Sequence, residues 1–167
     1  GEIPDLETWM ENPDTLTDMQ MTSIQEEIVK RAVFFQHIGF DMVSLQMGLQ
    51  GKAPVGLASM LSPRSNHRTA ISGGSVEDRS RFPLEICRAI KKRCGRSFLI
   101  DVTVIGEETG PGGIQATDTV EFAHLAEDCI DVLQIRAGNG DLAHPTGFNF
   151  TKEEPPSLQV AQAVKHS

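Results

Sequence analysis

Residues 61–86 read Leu61-Ser-Pro-Arg-Ser-Asn-His-Arg-Thr-Ala-Ile-Ser-Gly-Gly-Ser-Val-Glu-Asp-Arg-Ser-Arg-Phe-Pro-Leu-Glu-Ile86, and the rest of the chain is ordered around this stretch. Its first half is polar, carries Pro63, Gly73 and Gly74, and has no usable period, so it reads as a long loop. The second half begins at Ser75, a side chain suited to cap a helix, and puts Phe82, Ile86 and Ile90 on one face. Lys91, Lys92 and Arg93 follow where a helix C-terminus attracts cations, and Gly95 stops the run. Pro83 inside the pattern predicts a late start or a kink. Ahead of the loop, Phe40–Met47 is short and apolar; behind the helix, Phe98–Ile105 and later Asp131–Arg136 are the same, and all three read as strands.

Outward from this centre the pattern repeats. Residues 1–20, with Pro4 and Pro13, read as a loop-like lead-in. Thr22 with Gln25 and Ser23 with Glu26 form a doubled capping signal, after which Ile24, Ile28, Ala32 and Phe35 recur at helical spacing as far as Gly39. Residues 51–75 are expected to form one long loop. Past the second strand, the glycine-rich Gly106–Gly113 leads to a helix with Asp118 and Glu121 as its capping pair, and Ser157–His166 reads as a last short helix. The order α-β-α-β-α-β-α predicts an α/β fold, a parallel sheet with helices outside it. Apolar strands without alternation predict burial on both faces. A doubly wound sheet and a sector of a (β/α) barrel both fit this pattern.

Composition bounds the function. The chain has 167 residues and a formal net charge of −8, so its surface does not attract nucleic acid or anionic membrane. No apolar run approaches the ~18 residues of a membrane span. The cysteines Cys87, Cys94 and Cys129 are odd in number and widely spaced, a pattern expected of reduced thiols in a cytoplasm and not of a zinc or iron–sulfur site. The five histidines show no ligand spacing, and there is no tyrosine. Glu107 and Glu108 are neighbours and are expected to lie in a solvated loop. The glycines at 106–113 and 138–140 match neither a dinucleotide fingerprint nor a P-loop.

The residues Ser62, Pro63, Asn66, Arg68, Thr69, Gly73, Gly74, Ser75, Glu77, Arg79, Arg81, Phe82 and Glu85 fall in one register with the pattern S-P-x-x-N-x-R-T-D-x-Y-G-G-S-x-E-N-R-x-R-F-x-x-E. On these residues the chain resembles the old yellow enzyme family, the FMN-dependent NADH:flavin oxidoreductases and their 2,4-dienoyl-CoA reductase relatives. The resemblance runs from about Met21 to the end. It implies a TIM barrel, of which this chain supplies about three parallel strands resembling the fourth to sixth; residues 21–167 would be the central part of one FMN-binding domain. On that reading the chain is expected to be an internal piece of a longer gene product, completed by the remaining barrel segments.

The resemblance also implies a chemistry, in which NADH or NADPH reduces FMN and hydride passes to the β-carbon of an enone or enoate. Family members hold the substrate carbonyl with a histidine pair at the end of the fourth strand and often protonate with a tyrosine. In this chain Gln46 or Gln50 stands at the first of those positions, depending on register, and no histidine or tyrosine is present there. An amide donates a hydrogen bond but does not exchange protons near neutral pH. Thr103 occupies the place of the family's flavin-facing arginine, and Arg136 ends the third strand. Ser72 and Ala70 replace the tyrosine and aspartate of the signature. Asn66, Arg68, Gly73, Gly74, Glu77, Arg79 and Arg81 are expected to secure the loop against the barrel rim. Two functions follow: an ene-reductase, or a barrel of the same family that binds flavin or another ligand without catalysis. A Schiff-base aldolase is disfavoured because no strand carries a lysine.

Overall fold

The computed structural model describes residues 16–48, 56–68, 74–108, 111–136 and 156–167. Helix α1 spans Asp18–His37 and is followed by strand β1, Met42–Gln46. A short α2, Leu57–Leu61, and the long α3, Val76–Cys94, lead to β2, Leu99–Ile105. Then come α4, Ala116–Ala126, β3, Val132–Arg136, and α5, Pro156–His166. The three strands form one parallel sheet in the order β1-β2-β3, with Gln46 level with Thr103 and Thr103 level with Gln134.

Alternation along each strand sends one set of side chains to the helices. Val43, Leu45, Ile100, Val102, Val104, Leu133 and Ile135 pack with Phe82, Ile86 and Ile90 of α3 and with Phe122 and Ala126 of α4. The other face carries Met42 beside Leu99 at its N-terminal end, then Ser44, Asp101 and Val132 on one level, Gln46, Thr103 and Gln134 on the next, and finally Ile105 and Arg136. Burial on both faces holds for β2 alone. In β1 and β3, exposed and half-buried residues alternate, because each has a single neighbour strand among the described residues.

Helix boundaries expose the limits of local signals. Helix α1 starts at Asp18, ahead of the expected caps, because Thr17 and Gln20 form the capping box; the Thr22 and Ser23 hydroxyls instead donate to the carbonyls of Asp18 and Met19. Helix α3 begins directly after its cap Ser75 and continues through Pro83, so the late start does not occur. Pro83 is fully buried, and its packing offsets the missing backbone donor. At its far end Gly95 adopts φ 87°, a conformation glycine reaches without strain. Helix α4 is capped from Gln115, with Asp118 in its first turn, three residues ahead of the pairing expected from sequence. The expected single loop over residues 51–75 contains α2, buried along its whole length.

Candidate functional site

The C-terminal half of the sheet presents a row of polar groups, Gln46, Thr103 and Gln134, with the carboxylate of Asp101 beneath Gln134. Thr103, on the central strand, is fully buried. From β1, the Gln46 amide Nε2 lies 3.4 Å from both Thr103 Oγ1 and Ser44 Oγ. From β3, Gln134 Nε2 donates to Asp101 Oδ2 at 2.6 Å. Two glutamines on flanking strands thus lean over the polar pair of the middle one. Arg136 is exposed at the end of β3, level with Ile105, and is the one cation on this face among the described residues. Gln50 and Gly73 lie outside the described residues.

Close backbone approach fixes where the chain leaves the sheet. Met47 N donates to Thr103 O at 2.8 Å, extending the ladder past β1. A Cβ on Gly48 would stand 2.5 Å from the backbone at Val104 and Ile105, so only glycine lets this turn cross the end of β2. On the other side Gly106 N donates to Arg136 O at 2.9 Å.

The rim around this row is built by the motif residues and by one carboxylate that the sequence reading placed wrongly. Glu107 is exposed, but Glu108 is 3% exposed and accepts from Ser62 Oγ at 2.7 Å and from Ile114 N at 2.8 Å. The solvated-loop expectation therefore fails for Glu108, which joins the segment after α2 to the one after β2. Arg64 reinforces that junction by donating to Pro111 O. Asn66 is buried and donates to Met60 O at 2.7 Å, while Arg68 reaches Leu16 O at 2.6 Å. Arg79 donates to Leu61 O, Gly74 O and Asp118 Oδ2 from a nearly buried position. Arg81 is different: its partner is Asp78, one turn away on the exposed face of α3, and Glu77 is exposed beside it. Among the described residues these two make no bond to the loop.

Groups whose acidity is displaced lie away from the row. The Cys87 thiol is pushed up by its hydrogen bond with Cys129 and by burial, and both cysteines sit in the core behind the sheet. Arg88 holds Asp128 below the usual carboxylate range. Asp131, at the opposite end of the sheet, is also lowered. Burial opposes this, but the Lys91 ammonium and the Ile100 amide outweigh it. No cluster of metal-binding side chains occurs among the described residues, and no helix there is long and apolar enough to cross a membrane. The row is a set of fixed hydrogen-bonding groups, suited to orienting a planar polar ligand and not to exchanging protons with it.

Comparison with known proteins gives this geometry a context. The model of a family described as NADH:flavin oxidoreductase / NADH oxidase matches residues 14–147. An NADH oxidase of Thermoanaerobacter brockii is 33% identical over 127 residues, 75% of this chain and 19% of that protein. An NADPH dehydrogenase of Clostridium acetobutylicum is 30% identical over 141 residues, 80% of this chain and 40% of its own length. Among solved structures, morphinone reductase superposes with a TM-score of 0.67 at 21% identity, covering 90% of this chain and 38% of the other. That likeness speaks for fold, a TIM barrel of which the three parallel strands and their helices form a sector. This chain spans less than half the length of these relatives.

Proposed function

This chain belongs to the NADH:flavin oxidoreductase / NADH oxidase family, and on that premise we propose that its strand-end row forms part of an FMN site in an NADH- or NADPH-dependent enzyme of the ene-reductase type. The observation that carries the reading is the side-by-side placement of Gln46, Thr103 and Gln134, with Arg136 above them, at the C-terminal ends of three parallel strands. Barrels of this class do their chemistry at that end.

The donor set fits the group. Amide and hydroxyl side chains complement the polar edge of an uncharged ring system, and Arg136 offers the charge that a ring gaining electrons attracts. When bound, FMN would supply hydride transfer between the nicotinamide and an α,β-unsaturated carbonyl compound. The residues of this chain would orient it. Gln46 donates to the fully buried Thr103 oxygen, so the exposed amide is the group of this pair that a ligand would meet first. Its second N–H meets Ser44 Oγ at 3.4 Å, and turning that N–H outward at the exposed edge would offer a donor to a substrate carbonyl. Arg136, exposed at the end of the next strand, would take the charge role that Thr103 lacks.

A second reading has its own support: Gln46, Thr103 and Gln134 are non-titrating, so the row itself supplies no proton for a reduced alkene. A family barrel that binds flavin or another ligand without reducing enones matches that observation. Anaerobic stopped-flow spectroscopy of the full-length protein separates the two. Bleaching of bound flavin by NADH or NADPH, followed by re-oxidation with 2-cyclohexenone, supports the ene-reductase. Flavin that is bound but not re-oxidised by enones supports the binding barrel.

A further inference from the structure

Gln134 is exposed on β3, yet its amide is anchored. Nε2 donates to Asp101 Oδ2 at 2.6 Å, a short bond of the kind a charged acceptor makes, and Asp101 itself is buried. The bond is diagonal. Gln134 stands level with Thr103, whereas Asp101 stands level with Val132, so the glutamine leans back along the face toward its N-terminal end. An ionised carboxylate only accepts, so turning the amide over would set Oε1 against Asp101 Oδ2 with no proton between them. The nitrogen is held inward, and Oε1 accepts nothing among the described residues.

Gln46, on the opposite flank, is held differently. Its Nε2 lies 3.4 Å from two hydroxyls, Thr103 Oγ1 and Ser44 Oγ. Hydroxyls both donate and accept, so neither fixes which end of that amide faces them. The row is therefore asymmetric: the amide on β1 is free to turn a donor outward, and the amide on β3 is set as an acceptor.

Resting on the reading of this row as a ligand seat, we infer that Asp101 is a positioning residue. It holds the Gln134 nitrogen so that Gln134 Oε1 reads an N–H of the ligand, an imide or a carboxamide. A plain enone has no N–H to offer, so this acceptor serves the redox groups and not the alkene. Two sources share that chemistry: the ring imide of oxidised flavin and the carboxamide of a nicotinamide.

Equilibrium titrations of the full-length apoprotein, wild type and Gln134→Met, test it. The flavin pair is FMN and 3-methyl-FMN, in which a methyl replaces the imide hydrogen. The nicotinamide pair is NAD+ or NADP+, whichever binds more tightly, and its 3-acetylpyridine analogue, which lacks the carboxamide N–H. A flavin imide predicts that Gln134→Met weakens FMN roughly threefold to tenfold, the worth of one neutral hydrogen bond, and does not weaken 3-methyl-FMN. A nicotinamide predicts the same loss for the dinucleotide, with its analogue not weakened. Asp101→Asn, which leaves the Gln134 amide free to turn, is expected to lose part of the same discrimination; Asp101→Ser takes its place should it not fold. If Gln134→Met weakens neither N–H ligand selectively, or the Asp101 variant discriminates as well as the wild type, the inference is overturned. A wild type that binds no FMN contradicts the flavin reading instead, and the nicotinamide pair then decides the role of Gln134. Binding of neither ligand overturns both.

Discussion

Arg79 Nη2 meets Asp118 Oδ2 at 3.2 Å, while the same guanidinium reaches Leu61 O at 2.9 Å and Gly74 O at 2.6 Å. One side chain near the start of α3 thereby fixes the end of α2, its own preceding loop and the first turn of α4. Its exposure of 8% keeps those bonds out of water. Arg79→Ala leaves two carbonyls and a carboxylate without their donor, and is expected to destabilise the full-length protein by about 3–5 kcal/mol. Denaturant melts check this, with ligand binding at low temperature retained. Unchanged stability with binding lost would contradict it.

Glu108 holds the other side of the rim. Replacing it by alanine orphans the buried Ile114 amide, for an expected loss of about 1–3 kcal/mol. Glu108→Gln keeps one acceptor and is expected to lose less. Urea midpoints of the two variants give the ranking, and an alanine variant as stable as the glutamine one would refute it.

These two residues also mark how far the sequence is legible. The motif around Arg79 reads directly, since Ser75, the apolar face of α3 and Gly95 are local signals, and each appears where the chain predicts it. Glu108 does not read, because two adjacent glutamates are equivalent until the fold turns one toward Ser62. Three Ser/Thr-x-x-Glu/Gln patterns compete at the head of α1, and apolar period alone does not say that Thr17 wins. Helix α2 has five residues, too few to display a period, and forms because tertiary contacts bury it. Asp101 and Gln134 were recoverable: positions 101 and 103 share a strand face, so naming Thr103 as site-facing implied Asp101 as well.

Asp131 makes acid stability testable. Its carboxyl is depressed because the Lys91 ammonium and the Ile100 amide at 2.7 Å outweigh the opposing effect of burial. A group lowered in the folded state contributes stability above its unfolded value, about 3.9, and that contribution fades as pH falls through the folded one. Asp131→Asn is therefore expected to lower the melting temperature at pH 7 and to shrink the wild-type advantage progressively below about pH 4. An advantage that persists undiminished at pH 2 would contradict this.

Gln46 has one amide at the exposed edge of the row, so Gln46→Ala is expected to weaken binding of an unsaturated carbonyl substrate several-fold while leaving flavin reduction by NADH or NADPH nearly unchanged. Stopped-flow half-reactions separate the two effects. Slowed reduction with unaltered substrate binding would remove Gln46 from the substrate side.

The most direct measurement is a fluorescence titration of the full-length apoprotein with FMN, comparing wild type with Gln46→Trp, which sets a bulky ring over Thr103 from an exposed position. Stoichiometric quenching by the wild type, and affinity lost in a variant that melts like it, is the predicted result. Equal affinity in both proteins, or no binding by the wild type, would contradict a flavin seated on this row.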